Sequence, residues 1–82
     1  SLAVRGIRRP EDYGGLLRYL NRLEFVDAVS VTQVVDDQVD LLVITRADIA
    51  QLLNLFAVDR LLAEVILDRP SRYDAELAWQ SQ

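Results

Sequence analysis

Apolar residues along the chain fall into two periods, and the switches between them mark the elements. In "LAVRGI" (Leu2–Ile7), Leu2 and Val4 alternate with Ala3 and Arg5, a strand pattern that ends at Gly6. The period then lengthens. Tyr13, Leu16, Leu17, Leu20 and Leu23 stand at i, i+3, i+4, i+7 and i+10, which places them on one face of a helix. Pro10 suits the first helical position, and Glu11 and Asp12 favour the positive end of the helix dipole. Gly14 and Gly15 each weaken a helix by about 1 kcal/mol relative to Ala. Tyr13 is nevertheless in phase with the later leucines, so the helix is expected to run through both glycines.

The short period returns in "AVSVTQVV" (Ala28–Val35) and "VDLLVIT" (Val39–Thr45), two strands of a hairpin. A three-residue loop, Asp36 to Gln38, sets Val35 opposite Val39 and Val31 opposite Val43. One face is then Val29, Val31, Val35, Val39, Leu41 and Val43, and a slip of one residue would exchange the faces. Thr45 and Asp48 form a capping pattern ahead of Ile49, Leu52, Leu53 and Phe56, which predicts a second helix ending near Ala57. "RLLAEVIL" (Arg60–Leu67) could prolong that helix, but its alternation reads as a strand; "DRPSRYD" is a loop, and "AELAWQ" closes the fold as a strand with Leu77 and Trp79 on one side. The order β-α-β-β-α-β, with an extra C-terminal strand, predicts an α+β fold. It is a ferredoxin-like split β-α-β two-layer sandwich, an antiparallel sheet with two helices on one face. Residues 1–82 make a single domain.

Composition narrows what such a domain can do. The chain has 82 residues, 51% of them apolar, enough for a core and too many for disorder. A domain this small buries about 60–65% of its unfolded surface, so the stability margin is thin. There is no Cys, no His and no Lys; all nine basic residues are Arg. Thiolate and imidazole metal sites, a histidine base and lysine covalent chemistry are therefore excluded. A net charge of −4 disfavours nonspecific nucleic-acid binding. The strands taken as central, "LAVRGI" and "VDLLVIT", carry no aromatic platform for RNA. No apolar run reaches the length of a membrane span. Met is absent even from the first position, and Ser1 leads straight into "LAV", so a processed product or a segment excised from a longer protein is expected.

Three places could carry chemistry. "VVDDQVD" holds three carboxylates within five positions, but it lacks the ligand spacing and the glycine of a calcium loop, and it reads as an acidic hairpin tip. Arg8 and Arg9 precede a helix N-terminus and form a candidate anion site, to be set against neutralisation by Glu11 and Asp12. The third place is the sheet face away from the helices, which carries Arg5, Ser30, Thr32, Leu42 and Ile44. A solvated face should be polar at Leu42 and Ile44, so either the C-terminal segment covers them or a partner does. Arg5, Leu42 and Ile44 are the candidate interaction face.

"VRGI" leading into "EDYGGLLRYLNRL", then "VDAVSV" and the closing "ELAW", resemble a family of uncharacterised bacterial envelope proteins, domain of unknown function 2066. The resemblance spans nearly the whole chain. It implies export to the periplasm or cell envelope and a longer parent protein, and it brings no catalytic or ligand residue. The topology also resembles amino-acid-binding regulatory domains of the ACT type, whose Gly-rich turn Gly14-Gly15-Leu16 could imitate; Arg8 and Arg9 stand where those domains usually carry an Asp. The expected function is a non-catalytic accessory or protein-interaction domain, without cofactor or metal, that binds a protein partner or itself through the open sheet face. An amino-acid-binding regulatory domain is the alternative.

Overall fold

The computed structural model describes residues 1–80 as an α+β fold with one five-stranded sheet and two helices. In chain order the elements are β1 (Leu2–Arg5), α1 (Pro10–Arg22), β2 (Val26–Val35), β3 (Gln38–Thr45), α2 (Ile49–Asp59), β4 (Leu62–Glu64) and β5 (Ala75–Trp79). The strands lie in the order β2-β3-β1-β5-β4. β3 runs antiparallel to both β1 and β2, β4 runs antiparallel to β5, and β5 runs parallel to β1. The sheet is therefore mixed, which corrects the expectation of an antiparallel one. The cause lies in the segment after α2. β4 turns back into β5, and it is β5, now pointing the same way as β1, that enters the sheet beside β1.

Both helices cover the same face. Leu2 and Val4 from β1, Val39 and Leu41 from β3, and Leu77 from β5 alternate onto that face. They pack with Leu16 and Leu20 of α1 and with Leu52 and Phe56 of α2. The helices also touch each other: the Tyr19 and Phe56 rings lie 6.0 Å apart, and the Tyr19 hydroxyl donates to Asp59 at 2.6 Å. Burial, and then the adjacent Asp59 carboxylate, push the Tyr19 pKa above its ordinary value.

α1 runs unbroken through both glycines, with Pro10 at its first turn. Gly15 has a packing reason to be there. A Cβ at this position would stand 3.2 Å from the Trp79 ring, so the missing side chain is what lets β5 seat its tryptophan against α1. α2 starts one turn later than the Thr45-x-x-Asp48 pattern suggests. Asp48 is itself the N-cap and accepts from the Gln51 N–H, while the Gln51 side chain accepts from the Asp48 N–H. Thr45 instead accepts from the Ala47 N–H and donates to the Phe25 carbonyl. The helix runs to Asp59, two residues beyond Ala57, and stops at Arg60 in the left-handed conformation.

The hairpin differs from its expected register by one residue at the tip. Asp36 and Asp37 form a two-residue turn, Val35 pairs with Gln38, and Val34 pairs with Val39. Asp36 has φ 54°, the positive value that tight hairpin turns demand. An irregularity between Val31 and Gln33 widens the offset to two residues, so Val31 pairs with Leu41 rather than Val43 and Val29 pairs with Val43, and the even offset returns both valines to their expected face. Val29, Val31, Val39, Leu41 and Val43 share the helix-facing side as expected, and Val35 does not. The alternation in Leu61–Leu67 forms a strand only over Leu62–Glu64. Leu62 is buried in the core, while Ile66 is 93% exposed.

Candidate interaction face

The sheet face turned away from the helices divides into two halves. On the first, Asp40 of β3, Ala3 of β1 and Glu76 of β5 stand in one row, because Ala3 pairs with both neighbours. All three are buried, although two are carboxylates. The cover is the segment between β4 and β5. The Tyr73 hydroxyl donates to Asp40 at 2.6 Å, and the Ser71 hydroxyl donates to Glu76. Gln38 donates to Asp40 at 2.9 Å and Arg5 to Glu76 at 3.0 Å; the Val65 N–H reaches the Glu76 carbonyl at 2.8 Å. Ala3 is small enough to let this polar latch lie directly on the sheet. A buried carboxylate needs such partners, since an unmet one costs several kcal/mol. Burial by itself raises the Asp40 pKa, but the bonds from Tyr73 and Gln38 and the nearby Arg72 charge outweigh it, and the net value lies below the ordinary one.

On the second half no segment among the described residues lies over the sheet. Leu42 and Ile44 are 45% and 53% exposed. Their cross-strand neighbours on β2 are Ser30 and Ala28, side chains too small to shield them. Leu42 and Ile44 are thus brought together as an apolar pair on the open face. Arg5 is not part of that pair. It lies one residue beyond the Val4–Val39 pairing, near Gln38 at the other end of β3, and its guanidinium belongs to the latch.

The remaining candidates are dispersed or filled. The three carboxylates of "VVDDQVD" diverge. Asp36 shapes the turn, Asp37 accepts from the Ile7 N–H through its carbonyl and faces Arg8 at 3.8 Å, and Asp40 joins the latch. Among the described residues no three Asp or Glu side chains gather as a metal cage. At the start of α1 the anion is the chain's own. The Asp12 carboxylate, buried, accepts from the backbone N–H groups of Arg8 and Arg9 at 3.2 Å and from the Arg9 guanidinium at 3.3 Å. Burial raises its pKa, and these bonds more than reverse the effect. Arg8 and Arg9 therefore flank a helix start whose positive end already holds a carboxylate. Gly14 and Gly15 lie inside α1, not in a turn between β1 and α1.

Sequence reasoning did not single out Tyr73, Ser71 and Glu76. The signal was present: Asp40 and Glu76 are carboxylates set inside apolar strands, and buried carboxylates require donors. An open recess of about 640 Å³ lies between the α1–β2 turn and α2, lined by Phe25, Leu55, Val58 and Arg46. Its titratable lining is Glu24 and Arg46, and the Arg46 guanidinium donates to the Glu24 carbonyl. No helix among the described residues is long and apolar enough to cross a membrane. No protein-family model, curated protein or solved structure matches the chain.

Proposed function

We propose that the chain is a non-catalytic accessory domain that binds protein through the bare half of its open sheet face, as part of a bacterial envelope protein. Its plan is ferredoxin-like over β1 to α2, with β5 inserted beside β1. The envelope assignment rests on the resemblance of "VRGI", "EDYGGLLRYLNRL" and "ELAW" alone. The binding role is carried by one observation, the adjacent exposed pair Leu42 and Ile44 on a face whose other half the chain covers for itself. The non-catalytic reading is supported by the carboxylates at Asp12, Asp40 and Glu76, which are engaged by internal donors and so are not poised for proton transfer.

Burying a leucine or isoleucine side chain contributes about 1.5–3 kcal/mol, so in the absence of its partner this face should associate weakly with itself at high concentration. Methyl NMR over a concentration series reads this directly. The Leu42 and Ile44 methyl shifts are expected to move together and to stop moving in Leu42→Asp/Ile44→Asp, which stays folded. Unmoved methyls, or a double variant that unfolds, would count against the reading.

A further inference from the structure

The two edges of the sheet are protected very differently. β4 closes one side with three residues, too short to template another strand. β2 closes the other with ten, and its side away from β3 carries no strand among the described residues. From Ala28 to Val35, eight consecutive residues of β2 are uncharged, none is Pro, and five are β-branched. Natural edge strands usually carry a charge or a proline to prevent pairing, and this run has neither. Its only irregularities are the register shifts at Asp27 and Thr32.

Charge brackets the run. Glu24 and Asp27 stand at its start, with Arg46 3.6 Å from Asp27. Asp36 and Asp37 stand at its end, with Arg8 3.8 Å from Asp37. Each end therefore has two carboxylates against one ion-paired arginine, and both pairs are solvent-exposed and weak. Asp36 makes no ion pair among the described residues.

We infer that the free edge of β2 accepts an extended segment of a partner protein as a sixth strand, one with a neutral β-branched centre and basic residues at both ends. This rests on the reading of the chain as a protein-binding domain and names the partner's chemistry. Main-chain hydrogen bonds supply the affinity of strand addition, and the bracketing carboxylates supply the selection. A second copy of the chain fits less well. Antiparallel self-pairing centred on the neutral run sets Asp27 of one copy against Asp36 of the other, like charge against like. It also sets Thr32 of each copy against Val31 of the other, bringing the two irregularities together, whereas a flexible segment can follow the bend. The acids at the two ends are nine residues apart, about 30 Å of strand, which fixes the spacing of the basic residues in the partner.

The test uses two synthetic peptides with the same alternating valine–threonine centre, one flanked by lysine pairs and one by glutamate pairs, titrated into the 82-residue chain. Hydrogen exchange of the β2 amides is the readout. The lysine-flanked peptide should protect amides of Ala28–Val35 saturably. It should bind about ten-fold more tightly than the glutamate-flanked one and lose that advantage in Asp27→Asn/Asp36→Asn. Both substitutions lie on exposed side chains, and Asn tolerates the positive φ of position 36. Equal binding of the two peptides, no protection in β2, or protection that grows with protein concentration in the absence of peptide would each overturn the proposal. The last result would make a second copy the occupant. The edge is read at β2 amides and the open face at Leu42 and Ile44 methyls, so either assignment can fail alone.

Discussion

The two halves of the open sheet face share β3 yet solve exposure in opposite ways. On either side of β1 the chain places buried carboxylates, Asp40 on β3 and Glu76 on β5, and covers them with Tyr73 and Ser71 from its own C-terminal segment. On β3 beside β2 it places Leu42 and Ile44, and they stay about half exposed among the described residues. An apolar pair can remain in water at modest cost, whereas a carboxylate under a loop cannot remain without donors. The polar half therefore depends on intramolecular partners for its stability, and the apolar half is free to take a partner from outside.

The largest break in this comparison should come from Glu76→Ala. It removes the acceptor shared by Arg5 and Ser71 and leaves the hydroxyl without its partner. A loss of about 2–3 kcal/mol is expected, seen as a fall of about 10–15 °C in the thermal midpoint by circular dichroism. A change of only a degree or two would show that the latch contributes little to the fold. Tyr73→Phe should do about half as much, since Asp40 keeps Gln38 and the more distant Arg72.

The pH dependence sharpens the same contrast. Asp40 has a folded-state pKa below its ordinary value of 3.8, so its contribution is present above that value and is lost as pH falls through the lower, folded one. Asp12 behaves in the same direction. The stability gap between the native chain and Tyr73→Phe should accordingly be constant near neutrality and narrow once the pH drops below about 4. A gap that widens in acid would mean that Tyr73 does not stabilise the charged form of Asp40.

The smallest effect on folding should come from the bare half. Leu42→Asp/Ile44→Asp removes side chains that are about half exposed, so the monomer should lose no more than about 1 kcal/mol, while the concentration-dependent methyl shifts disappear. Unfolding of this variant would mean that the two residues support the fold after all, and the distinction between the halves would collapse.

Much of this was legible in the linear pattern, and the reason differs by element. Leu16 and Leu20 in α1, Leu52 and Phe56 in α2, and Leu41 with Val43 in β3 follow periods set by local geometry, so their faces can be read without knowing their neighbours. Leu42 and Ile44 follow as the opposite phase of β3. The helix cap was displaced by one turn because Thr45 is engaged by the Phe25 carbonyl, a contact across twenty residues that no local pattern contains. Val35 left its expected face because the irregularity near Thr32 absorbs one residue, and Thr32 there bonds the Asp40 carbonyl of the neighbouring strand.

Residue type and near-neighbour spacing are enough to set the two helical stripes, the hairpin and the absence of His, Cys and Lys chemistry. That β5 lies parallel beside β1, that β4 stops after three residues, and that Asp40 and Glu76 are buried emerges only in the assembled fold. Each of those outcomes rests on partners far apart in the chain, Arg5 with Glu76 or Tyr73 with Asp40. Bringing such groups together requires the loop-closure entropy of folding to be overcome first, and only the assembled sheet does that.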